Sequence, residues 1–227
     1  MTDAELEELV ADCPTLYHMA ERGSWTAIKQ YGLLSTSALM DLYKVDAARR
    51  ERIELRHRPA SVPLSGDGLP GAVVRDQIPM SDEGLKRALP ARIAPSDWYA
   101  LLNSKVFFWL SIDRLHKLTG AKTYRDSEHD VLEIDTRSLL EAHREKIWLC
   151  PINSGCTKPI PHPRDESAFL RIPDYPYSHW RSRRRRTERA VELAVDHSVL
   201  DIEQHIKRVV VKRASEEIRV IENGPRN

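Results

Sequence analysis

The clearest indication of the fold lies in residues 190–211, AVELAVDHSVLDIEQHIKRVVV. The first part of this stretch is an apolar run that contains one carboxylate, Glu192, and it predicts a strand over 191–195. Its last part predicts a strand over 207–212, with a short helix over 200–205 between the two. A glutamate inside an apolar strand is either a solvated surface residue or a catalytic group, and the pattern alone is compatible with both.

Two earlier stretches complete this frame. Residues 106–118, VFFWLSIDRLHKL, predict an aromatic strand over 106–110 and a helix that Ser111 caps. Residues 16–35, LYHMAERGSWTAIKQYGLLS, predict a strand at 16–18 and a helix over 25–31 that Gly32 ends. Further strands are predicted over 131–134, 147–152 and 218–221. Strands and helices mix without regular alternation, which favours an α+β fold.

Length and composition describe a globular chain. The 227 residues suit one domain over 1–227, with a long loop at 56–97 that holds six of the fourteen prolines and four of the nine glycines. No apolar run is long enough to cross a bilayer, and the acidic start lacks a signal peptide, so we expect a cytoplasmic protein without membrane contact. Three cysteines and scattered histidines without metal-ligand spacing predict neither disulfides nor a metal site.

Net charge is only +1, but positive charge is concentrated in one segment. Residues 171–189 contain seven arginines and two acidic residues. The same segment holds aromatic residues, and aromatic rings with arginines are typical of surfaces that bind single-stranded nucleic acid. A solvated basic turn and a site for an acidic protein are the alternatives.

Taken in order, the three stretches resemble ADP-ribosyltransferases, and among them the DarT type, which modifies nucleic acid bases. The resemblance covers about a quarter of the chain. It implies an ADP-ribosyltransferase-like mixed central sheet with flanking helices. It also implies a glycosyltransferase-class enzyme that uses NAD as the ADP-ribose donor, with DNA or RNA as acceptor. Such an enzyme would be a toxin or a defence factor, and a toxin would have an antitoxin protein as a partner.

The resemblance also implies roles for residues of the three stretches. His18, with its neighbour Tyr17, would bind NAD and hydrogen-bond the ribose beside the nicotinamide. Of the aromatic residues on the middle strand, Phe108 and Trp109 are the preferred candidates to stack on the nicotinamide ring. Glu192 would stabilise the ribosyl cation or act as a base on the incoming nucleophile.

Arginines would complete the NAD site. Arg114 follows the aromatic strand, where DarT-type enzymes carry an arginine that assists catalysis, although the spacing is about two residues longer here and the preceding proline is missing. Arg75 is a candidate clamp for the pyrophosphate, because a guanidinium binds phosphate oxygens in pairs. Residues 153–155 directly follow a strand, and a simple turn is the favoured interpretation, with a position in the same cleft as the alternative.

In transferases of this fold the loop before the glutamate strand recognises the acceptor. The candidates for nucleic acid binding in that loop are Tyr177, Trp180, Arg183, Arg184 and Arg185. Two other functions remain open at this point. An NAD glycohydrolase would use the same cleft without an acceptor, and a non-catalytic module would bind nucleic acid without NAD.

Overall fold

The computed structural model describes residues 1–224. Within them the α-helices are α1 (Asp3–Asp12), α2 (Trp25–Tyr31), α3 (Thr36–Leu42), α4 (Ala47–Glu54), α5 (Asp82–Ala88), α6 (Pro95–Asn103), α7 (Ile112–Thr119), α8 (Thr136–His143) and α9 (Tyr177–Arg181). The strands are β1 (Thr15–Glu21), β2 (Leu33–Leu34), β3 (Val62–Leu64), β4 (Ala72–Val74), β5 (Lys105–Trp109), β6 (Glu128–Asp135), β7 (Ile147–Cys150), β8 (Leu170–Arg171), β9 (Glu192–Asp196), β10 (Ser198–Val199), β11 (Ile206–Arg213) and β12 (Glu216–Asn223).

Eight strands form one central sheet in the order β12-β11-β6-β1-β5-β9-β7-β8. Every neighbouring pair in this sheet is antiparallel. The α+β class is therefore confirmed, but the mixed sheet that we expected is wrong. Hydrophobic periodicity identifies strands without fixing their relative direction, so it does not distinguish an antiparallel sheet from a mixed one.

The strands that carry His18, the aromatic run and Glu192 are neighbours in this sheet, in the order β1-β5-β9. The pairing between β5 and β9 is complete along both strands, whereas β1 and β5 are paired only at Tyr17 and Trp109. Beyond this one pair the two strands diverge. The sheet thus consists of two four-stranded halves that are joined at a single position and open into a gap.

Helices pack on both faces of the sheet. On one face α1 and α8 cover a core that contains Leu132, Phe108 and Leu193 from both halves. On the other face α7 covers Val131 of the first half, while α5 and α6 cover Ala194 of the second. The core on the first face runs across the gap and holds the halves together.

The segment 56–97 has more structure than the predicted loop. It contains the β3–β4 hairpin, all of α5 and the start of α6. Its own small core includes Leu64 and Val74, which pack on α3 and α4. The guanidinium of Arg58 is buried and donates hydrogen bonds to the carbonyl oxygens of Ile53 and Arg75 and to the side chain of Asn103. These hydrogen bonds organise the segment in place of the hydrophobic periodicity on which sequence analysis depends.

Other elements differ from prediction at their ends. β1 is longer than the predicted strand, and the predicted helix over 200–205 is a 3₁₀ turn, Ile202–His205. Gly32 ends α2 with a φ of +85°, and a Cβ there would lie 2.6 Å from the Cα of Leu200. In the part of the chain that the structure describes, no helix has the length and apolar character to cross a membrane.

Candidate functional site

A cleft of about 390 Å³ lies at the gap between β1 and β5. Leu33 and Ala20, from the face covered by α1 and α8, line it, and so do Phe107 and Glu192 from the opposite face. An opening with walls from both faces is expected where two central strands diverge. Its volume lies within the range of small-molecule sites, and its lining is mainly apolar with a few polar groups, as in such sites.

His18 lies in the gap. Its ring Nδ1 is 2.8 Å from the carbonyl oxygen of Phe107 on β5. A carbonyl oxygen only accepts, so Nδ1 carries the proton and donates. Burial lowers the pKa of His18, and the imidazole is therefore neutral near pH 7. In that tautomer Nε2 offers a lone pair to the cleft, where it can accept a hydrogen bond from a ligand hydroxyl.

Glu192, the first residue of β9, provides the carboxylate of the cleft. It is only 4% exposed, and both of its oxygens lie near the backbone nitrogen of Ser154, at 3.1 and 3.2 Å. Burial raises its pKa to about 7, although the Ser154 hydrogen bonds and the charges of Arg164 and Arg114 act in the opposite direction. A carboxyl that titrates near neutral pH can serve as a proton acceptor or as a stabiliser of positive charge.

Arg164 holds the loop that supplies the Ser154 amide. Its buried guanidinium donates to the carbonyl oxygens of Ser154 and Cys156, each at 2.8 Å, and its Nε donates to that of His162 at 3.0 Å. The indole Nε1 of Trp98 reaches the same Ser154 carbonyl. Arg164 thereby fixes the Ser154 N–H against the Glu192 carboxylate.

The aromatic residues of β5 divide between core and cleft. Phe108 is 1% exposed and its ring packs 5.8 Å from that of His18, in the core on the α1 side. Phe108 still lines the cleft, on the same face of the sheet as His18 and opposite to Glu192, so its role as a stacking residue stays a prediction. Trp109, Phe107 and Tyr17 are half-buried cleft residues. Tyr17 pairs with Trp109, and Trp109 pairs with Glu192, so the side chains of Tyr17, Trp109 and Glu192 lie on one face of the sheet.

Arg75 follows β4 and lines the cleft. Its guanidinium lies 5.3 Å from the centre of the Tyr124 ring. Nη1 lies 3.4 Å from a carboxylate oxygen of Glu21 and 3.3 Å from Nδ1 of His129. Both contacts are long, so the guanidinium can exchange them for the oxygens of an anionic ligand.

The structure places Arg114 outside the residues that line the cleft. It lies on α7 and binds both carboxylate oxygens of Glu188 through Nε and Nη2. Its charge still acts on Glu192, where it lowers the pKa. In this arrangement Arg114 acts on the site through the electrostatic effect of its charge and through its ion pair with Glu188, which lies in the segment before β9. It does not act by contact with a ligand.

The basic segment is more strongly tied to the protein than its sequence predicts. Tyr177 is fully buried, so its ring cannot stack on a base, and its prediction as a contact residue is wrong. Trp180 is half-buried, with the guanidinium of Arg184 4.0 Å from its ring centre, and Arg184 also donates to the carbonyl oxygen of Pro151. Arg183 and Arg185 are exposed.

Several cleft residues gave no clear signal in the sequence. Ser154 and Gly155, for which a simple turn was the favoured reading, line the cleft beside Glu192. Arg58 and Tyr124 lie in segments that have no recognisable pattern, and both contribute to the walls. For these residues the only sequence indication of a place in the cleft was the position of Ser154 directly after a predicted strand.

Residues 14–206 match a protein-family model described as "Family of unknown function (DUF7002)". The matched region includes β1, β5 and β9 and the whole lining of the cleft. No curated protein matches the chain.

Proposed function

The chain belongs to DUF7002, a family without an assigned function, and from the geometry of its cleft we propose that it is an NAD-dependent mono-ADP-ribosyltransferase. The observation that carries the proposal is that His18 and Glu192 line the same cleft, which opens between the neighbouring strands β1 and β5 of the split sheet. The resemblance of the three stretches to ADP-ribosyltransferases supports the same assignment for fold and activity.

The cleft offers a suitable group for each part of NAD. Nε2 of His18 would accept a hydrogen bond from a hydroxyl of the ribose beside the nicotinamide. Trp109 and Phe107 present half-buried rings that would contact the nicotinamide, and Phe108 lines the same cleft with a buried ring. Arg75 would exchange its long contacts for oxygens of the pyrophosphate.

Glu192 would carry the chemistry. When the glycosidic bond between ribose and nicotinamide breaks, positive charge develops on the ribosyl carbon, and a carboxylate held by the Ser154 amide would stabilise it. Nicotinamide leaves with the electron pair of the broken bond. The acceptor attacks the same carbon and loses a proton, and Glu192, whose pKa is near 7, would take that proton.

We propose nucleic acid as the acceptor, because exposed arginines lie on the segment that leads into Glu192. Arg183 and Arg185 would contact phosphates. The second candidate is an NAD glycohydrolase with water as acceptor. The burial of Tyr177 and the internal contacts of Arg184 favour it, since they remove two of the expected nucleic acid contacts.

The test is incubation of the full chain with labelled NAD and, in parallel, single-stranded DNA, duplex DNA, total RNA and no polymer. We expect label on one polymer and at least about 100-fold less in Glu192→Gln, which keeps the size of the side chain and its acceptor for Ser154. The matched control is Glu141→Gln, a change at a carboxylate that is 70% exposed.

A second comparison separates the two candidates. If the protein is a transferase, the double change Arg183→Ala with Arg185→Ala should reduce polymer labelling and, to the same extent, the NAD consumption that depends on the polymer. If it is a glycohydrolase, the same change should leave NAD consumption unchanged. Arg219→Ala, at an exposed arginine on β12, should affect neither quantity. Equal release of free ADP-ribose with and without polymer would establish the glycohydrolase. If NAD remains intact under all conditions, the proposed activity is wrong.

A further inference from the structure

Apart from the cleft, the structure brings together two histidines and an aspartate from two segments of the chain. His143 is the last residue of α8, and His205 is the last residue of the 3₁₀ turn before β11. Asp201 lies between β10 and that turn. One potential ligand atom from each of the three residues lies within 4.8 Å of the other two.

Asp201 faces both imidazoles. Its Oδ1 lies 2.7 Å from Nε2 of His143, and its Oδ2 lies 3.4 Å from Nε2 of His205. The two rings meet edge to face, with centres 5.5 Å apart. Ligands at about 2.0–2.1 Å from a tetrahedral zinc ion lie roughly 3.3 Å from one another, so the observed separations need only small side-chain movements to enclose an ion.

His205 supplies the observation that points to a ligand. Its side chain is 3% exposed, and among the described residues its Nε2 has no hydrogen-bond partner, because the contact with Asp201 lacks hydrogen-bond geometry. A buried polar atom without a partner is rare, since it costs roughly 1–3 kcal/mol. This atom points into the group formed with Asp201 and His143.

The other nitrogen of His205 is already fixed. Its Nδ1 lies 2.7 Å from the hydroxyl of Ser138 on α8. If Nδ1 donates to that hydroxyl, Nε2 carries a lone pair toward Asp201. Metal-bound histidines characteristically donate their second N–H to an oxygen in this way, which orients the ring and fixes its tautomer.

We propose that His143, Asp201 and His205 form a site for a divalent transition metal ion, with Zn²⁺ as the best fit. Two imidazole nitrogens and a carboxylate oxygen are a common set of zinc ligands. Asp201 is 33% exposed and His143 12% exposed on their side chains, which gives a fourth ligand, such as water, access from solvent. Binding replaces the proton on Nε2 of His143.

The site would have a structural consequence. It joins the end of α8, which follows β6, to the turn that leads into β11, and β6 and β11 are neighbours in the sheet. The bound ion would therefore cross-link two packed elements beside one half of the sheet. The proposal is independent of the activity assigned to the cleft.

The test uses the full chain after removal of metal with a chelator. Calorimetric titration with Zn²⁺ should show saturable equimolar binding, and Zn²⁺ should raise the melting temperature. Asp201→Asn and His143→Gln, at partly exposed positions, should each weaken binding by at least about tenfold and remove the thermal shift. His162→Gln, a change at an exposed histidine, should leave both unchanged.

Titration with Co²⁺ tests the ligand set directly. Nitrogen and oxygen ligands should give visible absorption bands of a tetrahedral ion, without the band of a cobalt–thiolate bond, and Cys156→Ser should not alter the spectrum. The proposal is overturned if neither ion binds saturably, or if binding is equally tight in Asp201→Asn and His143→Gln.

Discussion

Burial of its carboxyl group gives Glu192 a raised pKa, which can be measured without any substrate. Its pKa is raised from 4.5 to about 7, so the folded protein holds this proton more tightly than the unfolded chain. The contribution to stability is most favourable below pH 4.5, and it is lost as the pH rises through the interval up to 7. Above that interval the folded state contains a buried carboxylate.

Glu192→Gln should therefore make the protein more stable at pH 8, by up to about 3 kcal/mol, and leave stability nearly unchanged at pH 4.5. Urea unfolding at the two pH values measures the difference. The exposed change Glu141→Gln serves as the control. A Glu192→Gln variant with the same small effect at both pH values would mean that the carboxyl titrates in its ordinary range.

The sequence placed His18 and Glu192 on strands because a single polar residue in an apolar run is visible at that level. It did not show which face Phe108 or Tyr177 occupies. For Phe108 the answer depends on the register of β5 against its neighbours. For Tyr177 it depends on Arg189 and Asp12, which meet its hydroxyl group in the folded chain. Neither contact has a local signature.

Among the elements, the loop between β7 and β8 depends most on one residue. Arg164 has several carbonyl partners in that loop, and it fixes the Ser154 N–H that meets Glu192. Both the Ser154 hydrogen bonds and the charge of Arg164 lower the pKa of Glu192. Arg164 is thus a positioning residue for the carboxylate.

Arg164→Met should release the loop and raise the pKa of Glu192 further, because both the charge of Arg164 and the Ser154 hydrogen bonds that it positions lower this pKa. Carbon NMR of the glutamate carboxyl groups, with the signal assigned by its loss in Glu192→Gln, follows this titration directly. Arg164→Lys should show a smaller shift, since it keeps the charge and loses the planar set of donors. An unchanged titration in Arg164→Met would show that Ser154 is held by other contacts.

Regular elements were predictable where the apolar period was strong. The strands β5, β9 and β11 appear within about two residues of their predicted ends. The structure of the segment 56–97 was not predictable, because its hairpin has three-residue strands and its shape depends on the buried guanidinium of Arg58. Bonds from a side chain to distant carbonyl oxygens organise a segment without periodicity, so sequence patterns do not reveal them.

In the molecule as a whole, arginines form more ion pairs and hydrogen bonds within the protein than the composition indicates. Arg189 and Arg181 bind carboxylates of α1, at Glu8 and Asp12. The segment before β9 is therefore fastened to the first helix. Charge counts along a sequence predict a free basic surface, while the partners that neutralise it lie more than 150 residues away. The meeting of His143 with Asp201 was hidden for the same reason, since 58 residues separate them.

The single pair that joins the two halves of the sheet has a consequence for solvent exchange. Amide protons in the central strands of a sheet are normally the last to exchange with deuterium, because opening them requires global unfolding. The carbonyl of Phe107 faces His18, so the N–H of Phe107 points the same way, toward β1 and away from β9.

We expect the Phe107 amide to exchange far faster than that of Phe108, its neighbour in the same strand, whose N–H points toward β9. Exchange followed residue by residue by NMR makes the comparison. Equal protection of the two amides would mean that the gap is closed in solution. A fast-exchanging amide at the centre of eight strands would instead mark an edge inside the protein, where a bound ligand can restore the missing protection.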